Sequence, residues 1–515
     1  PRFMKWGAGN MKFSRPIRWI ASIYNNEILD FEFDECDPKI KISNKSKSHR
    51  LINDVLEVNS PDNFFEILKL NRVLAMRKER KEKIESLINQ ASKSLNLKPD
   101  LSEGLLNELT DLVEWPELII GKFSDEFLEL PVEVLSTVMK SHQRYVPLLL
   151  KNNTFSKLDL SSEKNISTSF LVISNGLEES NNNIAKGNEK VLRARFSDAK
   201  FFVKSDIKVS SNERNEKLKY VSYLNGLGNI FQRVERIEEV TKKILKFINN
   251  KSLDEKKIIE AAKYCKNDLC SDIVFEFPEL QGIMGGKYLK CEGFSEEVCM
   301  AVAEHYLPSF YKDALPSTKY GAIVSIADKV ETLVSIFISG KRPSGSSDPY
   351  ALRRNLNGVI KIIWDYEFEL PLDKLFNELI DFWKITFPNL NFSREVVFND
   401  LNEFLVQRIV SHLEDLSLSK ELIKAVCSSD ELSQKRVLNI VDLKNRIKSI
   451  VNFKEKENFV EIQKVITRVS KLASNSNLST EVLSTRDYVN TKLFEKDCEL
   501  KVFEFIKELE KLFSV

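Results

Sequence analysis

The sequence contains few residues that interrupt regular backbone structure. It has 16 glycines and 15 prolines, together 31 of 515 residues, or about 6%. This is about half the usual share. So few backbone breakers in a long chain favour long helices over a barrel or a sandwich. The same composition, with 42% hydrophobic residues, excludes collagen-like and disordered classes and predicts several buried cores.

Metal-type cysteine spacing, excess charge and long apolar runs are also missing. The seven cysteines show no two-residue spacing of the zinc-knuckle type, so they are interpreted as reduced cytoplasmic thiols. The net charge is only +1, so any nucleic-acid binding must depend on local patches. No apolar run approaches the ~18–20 residues that span a bilayer, and no signal peptide is recognised. The first residue, Pro1, suggests a processed product or a fragment.

Periodicity predicts an α+β part followed by a helical part. Strands are predicted at 28–33, 39–42, 118–120 and 170–173. The start signal at 60–62 predicts one long charged helix that runs through the charged residues 77–83. Beyond about residue 206 strand signals nearly vanish, and apolar stripes at 230–248 and 502–513 predict amphipathic helices.

The first candidate site is a group of carboxylates at helical spacing. Asp268, Asp272 and Glu276 lie four residues apart, so a single helix would place them on one face. Three such groups could bind a divalent cation or act in acid–base chemistry. Alternatively, the face is solvated or paired with Lys263 and Lys266.

The second candidate site is a Gly/Ser-rich loop that precedes two arginines. Asp348 is a good N-cap and Pro349 suits the first helical position, so a helix is predicted to begin there. Backbone amides at that helix end, together with Arg353 and Arg354, could hold a phosphate. The alternative is an interdomain turn whose arginines pair with acidic residues.

The third candidate site is a locally basic stretch. Residues 186–204 contain six basic and two acidic residues, a local charge of +4, and three phenylalanines. The basic residues are Lys186, Lys190, Arg193, Arg195, Lys200 and Lys204. This stretch could contact a nucleic-acid backbone, or it could be an ordinary basic helix whose phenylalanines belong to the core. A weaker pattern combines Lys140 and Arg144 with the ring of Tyr145.

Ten short motifs together resemble the β subunit of the bacterial, heterotetrameric type of glycyl-tRNA synthetase. They follow in that family's order and spacing over nearly the whole chain. The motifs are MKWG (4–7), FSRPIRW (13–19), LVEWP (112–116), MKSHQRY (139–145), GNEKVLRAR (187–195), VFEF (274–277), GIMG (282–285), EHYLP (304–308), IADK (326–329) and DPYALRR (348–354).

The resemblance implies a division of labour between two subunits. In this family the α subunit carries the active site that binds ATP and glycine, and the β subunit makes most of the contacts that bind tRNA. The implied partners are thus an α subunit, in an α₂β₂ tetramer, and tRNA-Gly, with no membrane. We expect no catalytic residue, metal or cofactor on this chain, with ATP and Mg²⁺ used by the α subunit. The expected tRNA contacts are Lys140, Arg144, Tyr145, Lys190, Arg193, Arg195, Arg353 and Arg354.

The resemblance also implies a domain organisation. We predict a mostly α, multidomain fold with an α+β module over 1–205, a helical HD-like domain over 206–369 and a helical anticodon-binding-like domain over 370–515. The HD-like domain is expected to be non-catalytic, with Asp268 and Asp328 as degenerate metal positions. In the last domain Arg408, Lys464, Arg468 and Lys471 are possible phosphate contacts. The chain is expected to be a fragment that lacks the family's N-terminal segment and C-terminal end.

Two other functions remain open from the sequence. One is an HD-type, metal-dependent phosphohydrolase that uses Asp268 and Asp328. The other is an assembly scaffold that mainly holds the α subunit, with incidental tRNA contacts.

Overall fold

The computed structural model is mostly helical, and in the part of the chain it describes the strands all lie before residue 175. It describes residues 3–5, 7–15, 17–29, 31–37, 39–151, 156–248, 250–310, 313–345, 347–388, 390–427, 438–455, 459–474 and 489–513. Contacts divide the chain into two compact units, Pro1–Leu443 and Lys444–Val515. The predicted mostly α, multidomain class with an N-terminal sheet part is confirmed. The boundaries predicted at 205 and 370 stay predictions.

The first 60 residues form short strands in several small sheets. The strands are β1 Met4–Lys5, β2 Lys12–Phe13, β3 Ile20–Ala21, β4 Ile23–Tyr24, β5 Glu27–Ile28, β6 Glu32–Phe33, β7 Ile40–Ser43, β8 Lys45–Lys47 and β9 Val55–Glu57. The predicted strand at 28–33 is divided between β5 and β6. The reason is that β5 pairs with β4 in a hairpin, whereas β6 pairs with β7 in another sheet.

A four-stranded antiparallel sheet organises the next part of the chain. Its strands are β10 Leu97–Pro99, β11 Glu117–Lys122, β12 Val146–Leu150 and β13 Ile166–Ser174, in the order β10-β12-β13-β11. The strands predicted at 118–120 and 170–173 are thus confirmed as parts of β11 and β13. Both faces of the sheet are covered, since Phe170 and Val172 belong to one buried cluster and Leu171 and Ile173 to another.

The helices of the first unit include some that pack against this sheet and others that follow later in the chain. They are α1 Phe64–Leu70, α2 Arg77–Ser94, α3 Glu103–Leu112, α4 Val132–Thr137, α5 Asn181–Ile207, α6 Ser211–Lys217, α7 Ile230–Ile248, α8 Glu255–Tyr264, α9 Asp272–Glu276, α10 Ile283–Cys291, α11 Glu296–Glu304, α12 Lys319–Ile338, α13 Leu352–Tyr366, α14 Leu372–Thr386, α15 Arg394–Asp415 and α16 Lys420–Val426. The other helices are α17 Ile440–Lys454, α18 Phe459–Ser474 and α19 Asp497–Phe513. The helices predicted from the stripes at 230–248 and 502–513 are confirmed as α7 and α19.

The single charged helix predicted after residue 60 is wrong. The structure has a 3₁₀ turn at Pro61–Asn63 and then two helices, α1 and α2. Between them Arg72 adopts a left-handed backbone conformation with φ 60°. A helix cannot continue through that conformation, so the charged run starts a new helix, α2.

One core joins residues on both sides of position 205. Phe196 and Val203 of α5 share a buried cluster with Ile273 of α9 and with Met284 and Tyr288 of α10. The second face of the four-stranded sheet is therefore closed by helices that come much later in the sequence.

The adjacent helices α10 and α11 approach each other closely at Gly286. A Cβ atom added there would lie 2.5 Å from the carbonyl oxygen of Cys299 and 2.8 Å from the Cβ of Ala303. Only glycine fits this contact without movement of the backbone.

We expect Gly286→Ala to lower the free energy of unfolding by about 1–3 kcal/mol, because overpacking forces the two helices apart. Chemical denaturation would measure this change. Gly187→Ala is the matched control, since the added Cβ has no heavy atom within 4 Å in α5. The control should be neutral or gain up to ~1 kcal/mol. Equal effects of the two variants would contradict this explanation.

Candidate nucleic-acid interface

The carboxylate of Asp328, in α12, lies at the centre of a buried network of charges. Its Oδ2 accepts a hydrogen bond from Lys266 Nζ at 2.9 Å, and its Oδ1 accepts one from Arg233 Nη2 at 2.7 Å. Glu331, also in α12, accepts from Arg233 Nε at 2.9 Å and from Arg236 Nε at 2.8 Å. These bonds join α7 and the segment after α8 to α12.

Lys266 also meets a neutral histidine. Its Nζ lies 2.9 Å from His305 Nε2, while His305 Nδ1 lies 2.6 Å from the carbonyl oxygen of Val302. Nδ1 therefore carries the ring proton, and Nε2 accepts from the ammonium. Burial, followed by the Lys266 charge, lowers the pKa of His305 well below its usual value. Burial alone would raise the pKa of Asp328, but the charges of Lys266 and Arg233 outweigh burial and lower it.

The predicted helical face of three carboxylates is wrong. Asp268 belongs to a 3₁₀ helix, Asn267–Cys270, whereas Asp272 and Glu276 belong to α9. Ser271 separates the two elements because its backbone is extended, with φ −92° and ψ 147°, and its hydroxyl caps α9. Asp272 is exposed while Asp268 is fully buried, so the three do not form one site.

Asp268 is bonded to backbone amides. Its Oδ2 accepts from the N–H of Gly282 at 2.6 Å and from that of Gly285 at 3.1 Å. Burial raises the pKa of Asp268 to about 6. For both amides to face Asp268, the backbone of Gly282 adopts a φ of 79°, a conformation that glycine adopts readily. The bonds to Asp268 therefore explain why glycines occur in this turn.

The residues at the two HD positions do not fit a divalent cation. Among the described residues, no group of three or more His, Cys, Asp or Glu side chains is arranged to hold a metal ion. A lysine ammonium occupies the space between His305 and Asp328, and it would repel a metal. The phosphohydrolase alternative therefore has no metal site built from Asp268 and Asp328.

An exposed cationic row runs along α5. Lys186, Lys190 and Arg193 are spaced by four and three residues, which places them on one helical face about 10 Å long. All three are exposed, and none has an acidic partner within the described ranges. We call these three residues the α5 stripe. They are suited to contact successive phosphates.

The other bases of this stretch are paired with acids. Arg195 lies 3.8 Å from Glu276, and Lys204 lies 3.5 Å from Glu129. Lys200 also pairs with Glu129. Of the three phenylalanines, Phe196 is buried, Phe202 is partly buried and Phe201 is exposed. The two interpretations of this stretch, a surface for nucleic acid and an ordinary helix with phenylalanines in the core, thus each describe part of α5. One face of the helix belongs to the core, and another face is cationic and exposed to solvent.

The side chains of Lys140, Arg144 and Tyr145 contact other residues of this chain. Lys140 donates to Asp100 at 2.7 Å, and Arg144 donates to Glu108 at 2.7 Å. Tyr145 is buried and stacks on Phe170 with ring centroids 5.1 Å apart. Burial raises the pKa of Tyr145 to about 12. Its ring is not available for stacking with a base. The tRNA contacts expected at Lys140, Arg144 and Tyr145 stay predictions.

The helix predicted at Pro349 begins three residues later, as α13. Ala351 precedes it with a left-handed φ of 55°, which ends the preceding turn. Asp348 still caps the helix, since its two carboxylate oxygens accept from the N–H groups of Leu352 and Arg353, each at 2.9 Å. These two amides are therefore not available to a phosphate.

Arg353 and Arg354 line a cavity of about 410 Å³ beside the N-terminus of α13. Neither side chain has an acidic partner among the residues that the structure describes. The interdomain-turn alternative required such pairs. We call this pocket the Arg353 cavity, and its wall also includes Pro308, Phe310, Asp348, Asn357 and Lys361.

A further arginine reinforces the positive field here. Arg408 of α15 lies near Arg353, and burial, followed by the Arg353 charge, lowers the pKa of Arg408. In the second unit Lys464, Arg468 and Lys471 are exposed along α18.

Sequence reasoning missed the side chains that complete these features. Arg233 gave no motif, and Lys266 was considered only as a partner of the nearby carboxylates, because the actual partner of both, Asp328, is distant in sequence. Phe310 and Lys361 were not singled out as RNA contacts, although Phe310 follows the EHYLP motif by two residues. In addition, no helix in the described ranges is long and apolar enough to cross a membrane.

We expect Lys266→Met to lower the free energy of unfolding by about 3 kcal/mol. This is the low end for breaking a buried ion pair, because Arg233 remains with Asp328. Lys257→Met is the control, since it removes a surface pair with Glu297 and should change stability by at most ~1 kcal/mol. Chemical denaturation compares the two, and equal losses would show that the buried network contributes no more than a surface pair.

Comparison with known proteins agrees with the sequence motifs. A family model described as glycyl-tRNA synthetase beta subunit matches residues 1–428. A glycine–tRNA ligase beta subunit of Trichodesmium erythraeum is 37% identical over 512 residues, which cover 99% of this chain and 70% of the relative. The protein of that name from Clostridioides difficile is 35% identical over 99% of this chain and 69% of its own length. The chain therefore belongs to the glycyl-tRNA synthetase beta subunit family and is a subunit of an aminoacyl-tRNA synthetase.

Proposed function

We propose that this chain binds tRNA-Gly for a partner α subunit that carries the site for ATP and glycine. Family membership supports a role in glycyl-tRNA synthesis, and the name beta subunit implies a partner subunit. In this proposal the two subunits form an α₂β₂ assembly in the cytoplasm. ATP and Mg²⁺ act in the α subunit, and this chain orients the tRNA toward that active site.

The observation that carries the proposal is that cations lie unpaired on a nearly neutral chain. The net charge is +1, and many surface lysines and arginines form ion pairs. The α5 stripe and the side chains of Arg353 and Arg354 have no such ion pair among the described residues. Unpaired cations in a row or around a cavity supply counter-charges for phosphates, which dominate the affinity of proteins for nucleic acids.

The first test neutralises the α5 stripe with Lys186→Gln, Lys190→Gln and Arg193→Gln. We expect weaker binding of tRNA-Gly and a slope of log K against log salt that is shallower by about 2–3, about one for each lost phosphate contact. A salt series with the purified full chain measures the slope. The control replaces Lys219, Lys243 and Lys257 by Gln, because each is paired with a glutamate. A slope equal to that of this control would exclude the stripe as a tRNA contact.

The second test removes the two arginines of the cavity with Arg353→Ala and Arg354→Ala. We expect weaker tRNA binding and a slope shallower by about 2, because two unpaired cations are lost. The matched control is Arg77→Ala with Arg394→Ala, whose side chains pair with Asp111 and Asp381. An unchanged slope in a folded double variant would exclude the cavity.

The same assay separates this proposal from the scaffold alternative. We expect tight, salt-dependent binding with a preference for tRNA-Gly over a non-cognate tRNA. A full chain that assembles with the α subunit but shows no tRNA affinity at any salt concentration would favour the scaffold.

A further inference from the structure

The Arg353 cavity combines positive charge with an exposed aromatic ring. Phe310 is 62% exposed, and the Arg354 guanidinium lies 5.0 Å from the centre of its ring. A phosphate needs only the cations. The ring adds a flat apolar surface that suits a base.

The turn that carries Phe310 is held in place by hydrogen bonds. The N–H of Phe310 and that of Ser309 both donate to Asp313 Oδ2, at 2.7 and 3.0 Å. Just before the turn, Lys329 Nζ donates to the carbonyl oxygens of Tyr306 and Leu307, each at 3.1 Å. The backbone that carries the ring is therefore held before any ligand binds, which reduces the entropic cost of stacking.

The wall of the cavity also offers a polar edge. Asn357, which has a polar side chain, lines it. Lys361 lines the same wall. A ligand that matches this lining has an anionic group, a flat ring and polar groups on the edge of that ring.

The size of the cavity favours one nucleotide over a duplex. A volume of about 410 Å³ lies in the range of small-ligand pockets. In a duplex the bases are stacked on each other, and proteins reach mainly the phosphates and the 2′-hydroxyls. Unpaired bases, in contrast, stack on aromatic rings and on arginine planes.

We infer that the Arg353 cavity takes one unpaired nucleotide of the bound tRNA. Its base stacks on Phe310 and Arg354, and its phosphate lies against Arg353 and Lys361. This inference rests on the proposed function, and it adds that the cavity selects single-stranded RNA.

The test compares three RNA probes with the full chain by fluorescence anisotropy. They are a short single-stranded oligoribonucleotide, an abasic strand of the same length and a duplex of the same sequence. We expect the single strand to bind at least about fivefold more tightly than the abasic strand, since stacking on an aromatic ring is worth ~1 kcal/mol or more per base. Phe310→Leu should remove most of this difference without changing the salt slope, and Phe310→Trp should retain it.

A matched control shows that the effect belongs to the cavity. Phe65→Leu removes another exposed ring, 53% exposed on α1, and should leave binding unchanged. If Phe310→Leu binds the single strand as tightly as the parent, while the Arg353/Arg354 variant is weaker, the cavity holds phosphates only. The inference then fails and the proposed function stands. If the parent chain binds neither tRNA nor any probe, both fail.

Discussion

Removing a carboxylate from water costs several kcal/mol unless cations accompany it. Asp328 meets this requirement with Lys266 and Arg233, at 2.9 and 2.7 Å. The three side chains come from different segments, so their charges fix how α7, α12 and the turn after α8 are arranged. The next residue, Lys329, is also buried, and it donates to backbone carbonyls in the turn that leads to Phe310. Adjacent residues of α12 thus hold the buried network and the segment that leads to the Arg353 cavity.

The distribution of cations distinguishes structural roles from binding roles. Lys266 and Arg233 form ion pairs with buried carboxylates. Lys140 and Arg144 form ion pairs with carboxylates nearer the surface. The three cations of the α5 stripe and the side chains of Arg353 and Arg354 have no such partner among the described residues. Two surfaces can therefore act on a polyanion although the chain as a whole is almost neutral.

The sequence predicted those parts of the fold that depend on periodicity. The apolar stripe of α7 and the apolar runs of β11 and β13 can be recognised in the sequence, because the buried face of each element requires apolar residues at regular spacing. The helix breaks at Arg72 and Ser271 were missed because each depends on one residue's backbone angles, without a glycine or proline to mark it. Tertiary contacts, rather than local preference, select those angles.

The sequence identified which basic residues could contact RNA, but it could not show which of them form ion pairs within the protein. Arg193 and Arg195 stand two positions apart with the same side chain, yet among the described residues only Arg195 forms an ion pair, with Glu276 of α9. Phe310 carries no charge and belongs to no cluster in the sequence, so its place beside Arg354 emerges only when the chain folds.

The core that joins α5 to α9 and α10 also limits the order in which this chain can fold during synthesis. One face of the four-stranded sheet is covered as soon as α2, α3 and the strands exist. The other face needs Met284 and Tyr288, more than a hundred residues after the last strand of that sheet, which ends at Ser174. Phe170 and Val172 therefore stay without part of their packing until that later segment has left the ribosome. During that interval the exposed apolar face of the sheet is a surface that chaperones can bind and through which the unfinished chain can aggregate.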